Sequence, residues 1–135
     1  MPAEKDQLLA GFNGNPSTSA AAVRQFEVES GFHLPKSYVE FLEQSDGGEG
    51  FVGPNAYVVF WRLEELFEMN EAYQTNEFAP GLFLFGSDGG GEAFAFDRRF
   101  DPNPIVSVPF VGMGLKLARL IAPDFRTFLE ELAKS

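Results

Sequence analysis

Apolar and polar residues follow two rhythms along this chain, and the switches between them predict its elements. In AAAVRQFEVES, Val23 and Phe26 recur at helical spacing; Ser17 or Thr18 is placed to cap the helix, and Gly31 to stop it in a left-handed C′ position. A second helix is expected from Pro35, a residue suited to the first helical position because it has no N–H to leave unpaired. In it Tyr38, Phe41, Leu42 and Ser45 fall at i, i+3, i+4 and i+7, a buried aromatic stripe that the glycine turn DGGEG ends. The rhythm then changes. AYVVFW, Ala56 to Trp61, is β-branched and aromatic and reads as a buried strand. Helical spacing returns in RLEELFEMNEAYQ, with Leu63, Leu66, Phe67 and Asn70 on one face and Glu64, Glu68 and Glu71 on another.

Two aromatic runs then enclose three glycines in LFLFGSDGGGEAFAFD, Leu82 to Asp97. Phe83 and Phe85 share one face of the first run, and Phe94 and Phe96 one face of the second, the period of two that a strand imposes. Asp88 can hydrogen-bond its own downstream amides, so the stretch predicts a β-hairpin with a polar turn. PIVSVPF supplies a further strand, and Asp124 can cap a last helix in which Phe125, Phe128, Leu129 and Leu132 repeat at i, i+3, i+4 and i+7. A short helix is expected over residues 1 to 12, closed by the breakers Gly11, Gly14 and Pro16. Early helices, a central cluster of strands joined by turns and a final helix predict an α+β domain. Its sheet should be mainly antiparallel, of about four to six strands with helices packed on it. No repeat or linker divides residues 1–135, which are read as a single domain.

Composition sharpens this picture. Sixteen phenylalanines supply a core large enough for 135 residues to fold without staples. The absence of cysteine excludes a disulfide framework, a thiolate metal site and a cysteine nucleophile. MPAEKDQLLAGF has neither the basic start nor the apolar centre of a signal peptide, and no apolar run approaches the roughly 18 residues of a membrane span. The expectation is a soluble cytoplasmic protein. Twenty acids against ten bases give a net charge of −10, and the excess is uneven: eight acids and three bases in residues 1–50, the same in 51–100, four of each in 101–135. Such a field repels nucleic acid and anionic membrane and attracts cationic partners.

Little in the sequence carries bond-making chemistry. The triglycine loop lacks the GxxxxGK[ST] pattern, has Asp88 and Glu92 beside its glycines and runs into a strand, so it does not read as a phosphate cradle. A carboxylate hydrolase would require Asp88, Glu92 and Asp97 to converge at one end of the hairpin. His33 is the only histidine, which removes any histidine pair for a metal, and it reads as a structural or surface residue. No GxSxG elbow or calcium loop is present. No cofactor and no catalytic residue is expected.

Three blocks, taken in order, resemble the SUKH superfamily of Smi/Knr-type domains: FEVESGFHLPKSYVEFL running into SDGGEG, WRLEELFEMNEAY, and LFLFGSDGGGEAFAFD with the closing APDFRTFLEEL. The resemblance implies an α+β fold without enzymatic activity, used as a protein-binding module. Bacterial members look like immunity proteins that neutralise polymorphic toxins, often nucleases; fungal members are regulatory. It also implies that Gly31, Leu34, Pro35, Tyr38, Gly47, Gly86, Asp88 and Asp97 are fold determinants, and transfers no binding residue. The compact chain is similar to the bacterial type. The functional expectation is a module that binds a basic toxin domain through an acidic surface drawn from Asp46, Glu49, Glu64, Glu68, Glu71, Asp88 and Glu92. A regulatory or scaffolding domain without a toxin is the alternative, and a carboxylate hydrolase a remote one.

Overall fold

The computed structural model describes residues 8–134. Seven strands form one sheet in chain order: β1 (Gly11–Gly14), β2 (Gly48–Val52), β3 (Ala56–Phe60), β4 (Leu82–Ser87), β5 (Glu92–Asp97), β6 (Ile105–Pro109) and β7 (Arg119–Ala122). Every neighbouring pair is antiparallel. Among the described residues the α-helices that accompany it are α1 (Ala20–Ser30), α2 (Lys36–Leu42), α3 (Leu66–Ala72), α4 (Thr75–Phe78) and α5 (Phe125–Ala133). The α+β class and antiparallel sheet are those expected, with one strand beyond the expected range.

The extra strands lie where glycines read as turn signals. Most of the helix expected over residues 1 to 12 lies outside the described residues, and from Gly11 the chain is β1, paired with β2. DGGEG likewise breaks α2 but continues directly into β2. Gly48 and Gly50 have φ near +140°, and a Cβ at either would stand 2.4 Å from a carbonyl oxygen of β1. Here glycine permits close backbone approach within a ladder instead of a reversal.

Helix boundaries follow local hydrogen bonds. The Ser19 hydroxyl, not Ser17 or Thr18, accepts the Ala22 N–H and caps α1; the Thr18 N–H is committed to the Leu42 carbonyl, which holds the preceding chain extended. Pro35 is the N-cap of α2, one position earlier than expected, and its carbonyl accepts from Tyr38 and Val39. Asp124 caps α5 as anticipated, accepting the Thr127 N–H at 2.7 Å.

Helices α1, α2 and α5 cover one sheet face. Phe83, Phe85, Phe94 and Phe96 project there and meet Phe26, Phe32, Tyr38, Phe125 and Phe128. Ring centroids lie 4.5 Å apart in the Phe85–Phe96 stack and 5.0 Å apart in the Tyr38–Phe96 edge contact, pairs worth about 0.5–1.5 kcal/mol each beyond area burial. Helix α3 packs against β4, and on the opposite side of the hairpin Leu84, Ala93 and Ala95 are fully buried as well.

One side chain joins α3 to the sheet. Strand β3 pairs with β4 only at Ser87 and Gly86, and a bulge between Leu84 and Gly86 interrupts the β4–β5 register. The Leu84 backbone therefore has no strand partner on the β3 side. Asn70 of α3 takes that place: its Nδ2 donates to the carbonyls of Leu84 (2.9 Å) and Leu66 (2.8 Å), and its Oδ1 accepts the Leu84 N–H (2.8 Å). A helical amide here does the work of a missing strand residue.

Candidate protein-binding surface

The turn of the central hairpin is built by its own carboxylate. Asp88 Oδ1 accepts the N–H groups of Gly90 (2.8 Å) and Glu92 (3.2 Å), and Ser87 Oγ accepts that of Gly89 (3.0 Å). Amides that would have to cradle a phosphate are thus occupied by a fixed negative group. Asp97 lies at the other end of β5, opposite Leu82, so the length of a six-residue strand, about 17 Å, separates it from the turn. Asp97 is buried and gripped by Arg99 through Nε (2.9 Å), Nη2 (2.8 Å) and the Arg99 N–H (3.1 Å). These bonds hold its carboxyl below the usual carboxylate range. The convergence of Asp88, Glu92 and Asp97 that a hydrolase would require does not occur.

Asp88 and Glu92 instead open onto a concavity of about 800 Å³, shared with Tyr57 of β3, Arg119 of β7 and Glu131 of α5. Tyr57 donates its hydroxyl to Glu49 of β2, which brings a further carboxylate to the rim. The same hydrogen bond is the main cause that raises the Tyr57 phenol above its ordinary pKa, with burial and the Glu49 charge adding to it. Three carboxylates and one guanidinium line this mouth, and Glu131 also accepts from Lys134 Nζ at 3.1 Å. Glu131 escaped the sequence reading because it follows the apolar stripe of α5; its position on the polar side of that stripe was the available signal.

The remaining acids form a second group. Glu64, Glu68 and Glu71 are exposed along the 3-10 turn Leu63–Glu65 and α3, with Arg62 3.8 Å from Glu64. Neighbouring Glu65 is drawn back to cap the turn, accepting the Arg62 N–H at 3.0 Å. Glu71 and Glu77 line a cleft of about 560 Å³ at the α3–α4 corner, with Phe67 and Phe83 as apolar wall. Arg98 on its far side is held over the Phe32 ring, 4.3 Å from the centroid. Asp46 differs from the other six. It is half-buried, its Oδ1 accepts the Leu63 N–H at 2.8 Å, and its carbonyl accepts from Asn15, so it ties the end of α2 to the turn before α3. The seven carboxylates are thus divided between a hairpin mouth, a helical ridge and one internal tie.

His33 is a surface residue, with its side chain exposed and Nδ1 3.3 Å from Glu27. Among the described residues no group of acids or histidines is arranged to hold a metal ion, and no helix is long and apolar enough to cross a membrane.

The family model of the SMI1 / KNR4 family (SUKH-1) matches residues 17–131, and with them every element from α1 into α5. The chain belongs to that family. No curated protein matches it. SUKH domains are known as toxin-immunity-like modules and are generally non-catalytic. The positions singled out by the SUKH resemblance have roles in the fold. Leu34 and Tyr38 are buried, Pro35 caps α2, Asp88 builds the hairpin turn and Asp97 anchors Arg99. Gly47 adopts φ +74° against the Phe60 carbonyl, where a Cβ would stand 2.5 Å from the oxygen.

Proposed function

We propose that this protein is a non-catalytic module of the immunity type, which binds a basic toxin domain in the cytoplasm and blocks it with its exposed carboxylates. The SUKH-1 match over residues 17–131 is the observation that carries this reading. Charge supports it. A nuclease presents a cationic groove to its substrate, and a −10 protein is steered towards that groove at long range. Glu49, Asp88, Glu92 and Glu131 at the hairpin mouth and Glu64, Glu68, Glu71 and Glu77 along the helical corner are the groups proposed to meet the cationic surface.

Co-expression with the toxin encoded beside the gene tests the proposal: growth should be restored, and the association rate of the purified pair should fall as salt is raised. Absence of rescue by this chain against any neighbouring toxin would refute the immunity role. It would favour a regulatory or scaffolding domain that uses the same surfaces.

A further inference from the structure

Helix α5 leaves part of its sheet face uncovered beside the hairpin turn. Phe94 of β5 lies under Phe128 of α5, with ring centroids 4.9 Å apart, and the helix ends at Ala133, so that Glu131 and Leu132 form a rim to the concavity at the hairpin mouth. Strand register sets its floor. Ser107 of β6 stands opposite Phe94, Arg119 of β7 stands opposite Ser107, and Glu92 precedes Phe94 by two residues. By strand alternation these four side chains share the α5 side of the sheet, and all four line the recess. Glu92 and Ser107 are diagonal neighbours across the β5–β6 pair, a relation that places Cα atoms about 7–8 Å apart.

Two of these groups have no protein partner. Ser107 is only 6% exposed, yet none of the described residues hydrogen-bonds its hydroxyl. The carboxylate of half-buried Glu92 likewise meets no donor among the described residues, although Arg119 lies in the same recess. A buried hydroxyl without a partner is costly, and a half-buried carboxylate attracts a cation more strongly than a fully hydrated one.

Charge and shape select what enters. Asp88, Glu92 and Glu131 against Arg119 leave the recess at −2; Glu49 on the Tyr57 hydroxyl and Lys134 on Glu131 cancel each other. An anion is repelled, and an apolar side chain would leave Ser107 and Glu92 unpaired. The walls are aromatic, with Phe94 on the floor and Tyr57 at the side, steadied by an edge contact with Phe51 at 5.4 Å. A guanidinium stacks on a ring while donating to a carboxylate and a hydroxyl at once, and it is more weakly hydrated than an ammonium. At about 800 Å³ the recess has room for such a side chain and the main chain that carries it.

We infer that the hairpin mouth is an arginine-recognition site: one arginine of the protein partner enters the recess and donates to Glu92 and Ser107 against the Tyr57 ring. This rests on the reading that a basic protein domain meets this surface, and names the contact at its centre.

NMR titration of the full chain with a neutral-ended glycine peptide carrying one central arginine tests it, read at the amides of Tyr57, Glu92 and Ser107. Those signals should shift and saturate in the millimolar range. Citrulline in place of arginine, an uncharged isostere, should produce no saturation, and lysine should bind several-fold more weakly. Glu92→Gln should weaken the arginine peptide about tenfold and Ser107→Ala about threefold. Glu29→Gln on α1, exposed and outside the mouth, removes the same charge and should leave the affinity unchanged. No saturating shift with arginine, citrulline or lysine bound as tightly as arginine, or wild-type affinity in Glu92→Gln would each overturn the inference. The toxin reading is judged separately: rescue by a chain whose mouth ignores arginine refutes this inference alone, and a mouth that takes arginine in a chain that rescues no cell refutes the immunity role alone.

Discussion

Replacing Asn70 by alanine removes the amide that stands in for a strand residue beside Leu84. Three hydrogen bonds of 2.8, 2.9 and 2.8 Å disappear, and two of them serve the backbone of a residue with no solvent exposure. At about 0.5–1.5 kcal/mol for each bond, the loss is about 1.5–4.5 kcal/mol. The upper part of the range applies if water does not reach the orphaned Leu84 N–H and C=O. For a domain of this size that lowers the melting temperature by roughly 10 °C. Asn70→Asp should be nearly as harmful, because a carboxylate still accepts the Leu84 N–H but faces the Leu84 carbonyl with no proton to donate. Exposed Asn76 on neighbouring α4 is the control, and Asn76→Ala should stay within about 0.5 kcal/mol of wild type. Urea denaturation measures the differences, and amide exchange at Leu84 should accelerate in Asn70→Ala before the rest of β4 responds. If Asn70→Ala unfolds within about 0.5 kcal/mol of the wild type, the account of this side chain as a strand substitute is wrong.

Other consequences are as direct. Arg99 depresses the Asp97 carboxyl, so its contribution to stability is complete above the unfolded carboxylate pKa of about 4 and is lost as pH falls through the lower folded value. Asp97→Asn should accordingly flatten the acid limb of a stability–pH curve and leave its slope near pH 8 unaltered. Gly31 and Gly47 share positive φ, but a Cβ at Gly31 meets nothing within 4 Å, whereas one at Gly47 stands 2.5 Å from the Phe60 carbonyl. Gly31→Ala should lower stability by about 1 kcal/mol and Gly47→Ala by clearly more, as denaturant titration would read. Glu64→Gln, Glu68→Gln and Glu71→Gln combined should leave stability unchanged or raise it by a few tenths of a kcal/mol, by relieving like-charge repulsion along the helix. In the proposed toxin complex the same change should slow association and reduce its salt dependence, as stopped-flow mixing would show.

Much of the fold was legible because its signals are local. Val23 with Phe26, Tyr38 with Phe41 and Leu42, and Phe125 with Phe128 and Leu129 lie on buried faces of α1, α2 and α5, as their helical spacing requires. Asp88 bonds the amides two and four residues on, and the four hairpin phenylalanines share a face. The misread segments are those whose meaning depends on a distant neighbour. GFNG and GEGFV read as turns because glycine suits turns, yet their glycines serve a backbone contact between residues more than thirty positions apart. Strand β7 was passed over because RLIA is short and acquires its identity only beside β6.

The same division applies to the candidate surface. Order of elements, burial stripes, turn chemistry, family resemblance and overall acidity reside in residue type and spacing, which one chain displays without folding. Which carboxylates face a partner depends on three-dimensional placement. Asp46 turns inward to accept the Leu63 N–H, Asp97 is carried to the far end of a strand from Glu92, and Glu131 arrives at the hairpin mouth from a helix nearly forty residues away. A carboxylate is the same letter whether it satisfies a buried N–H or waits for a cation. Only packing brings the donor that distinguishes the two, because hydrogen bonds of 3 Å join residues whose separation along the chain carries no trace of the contact.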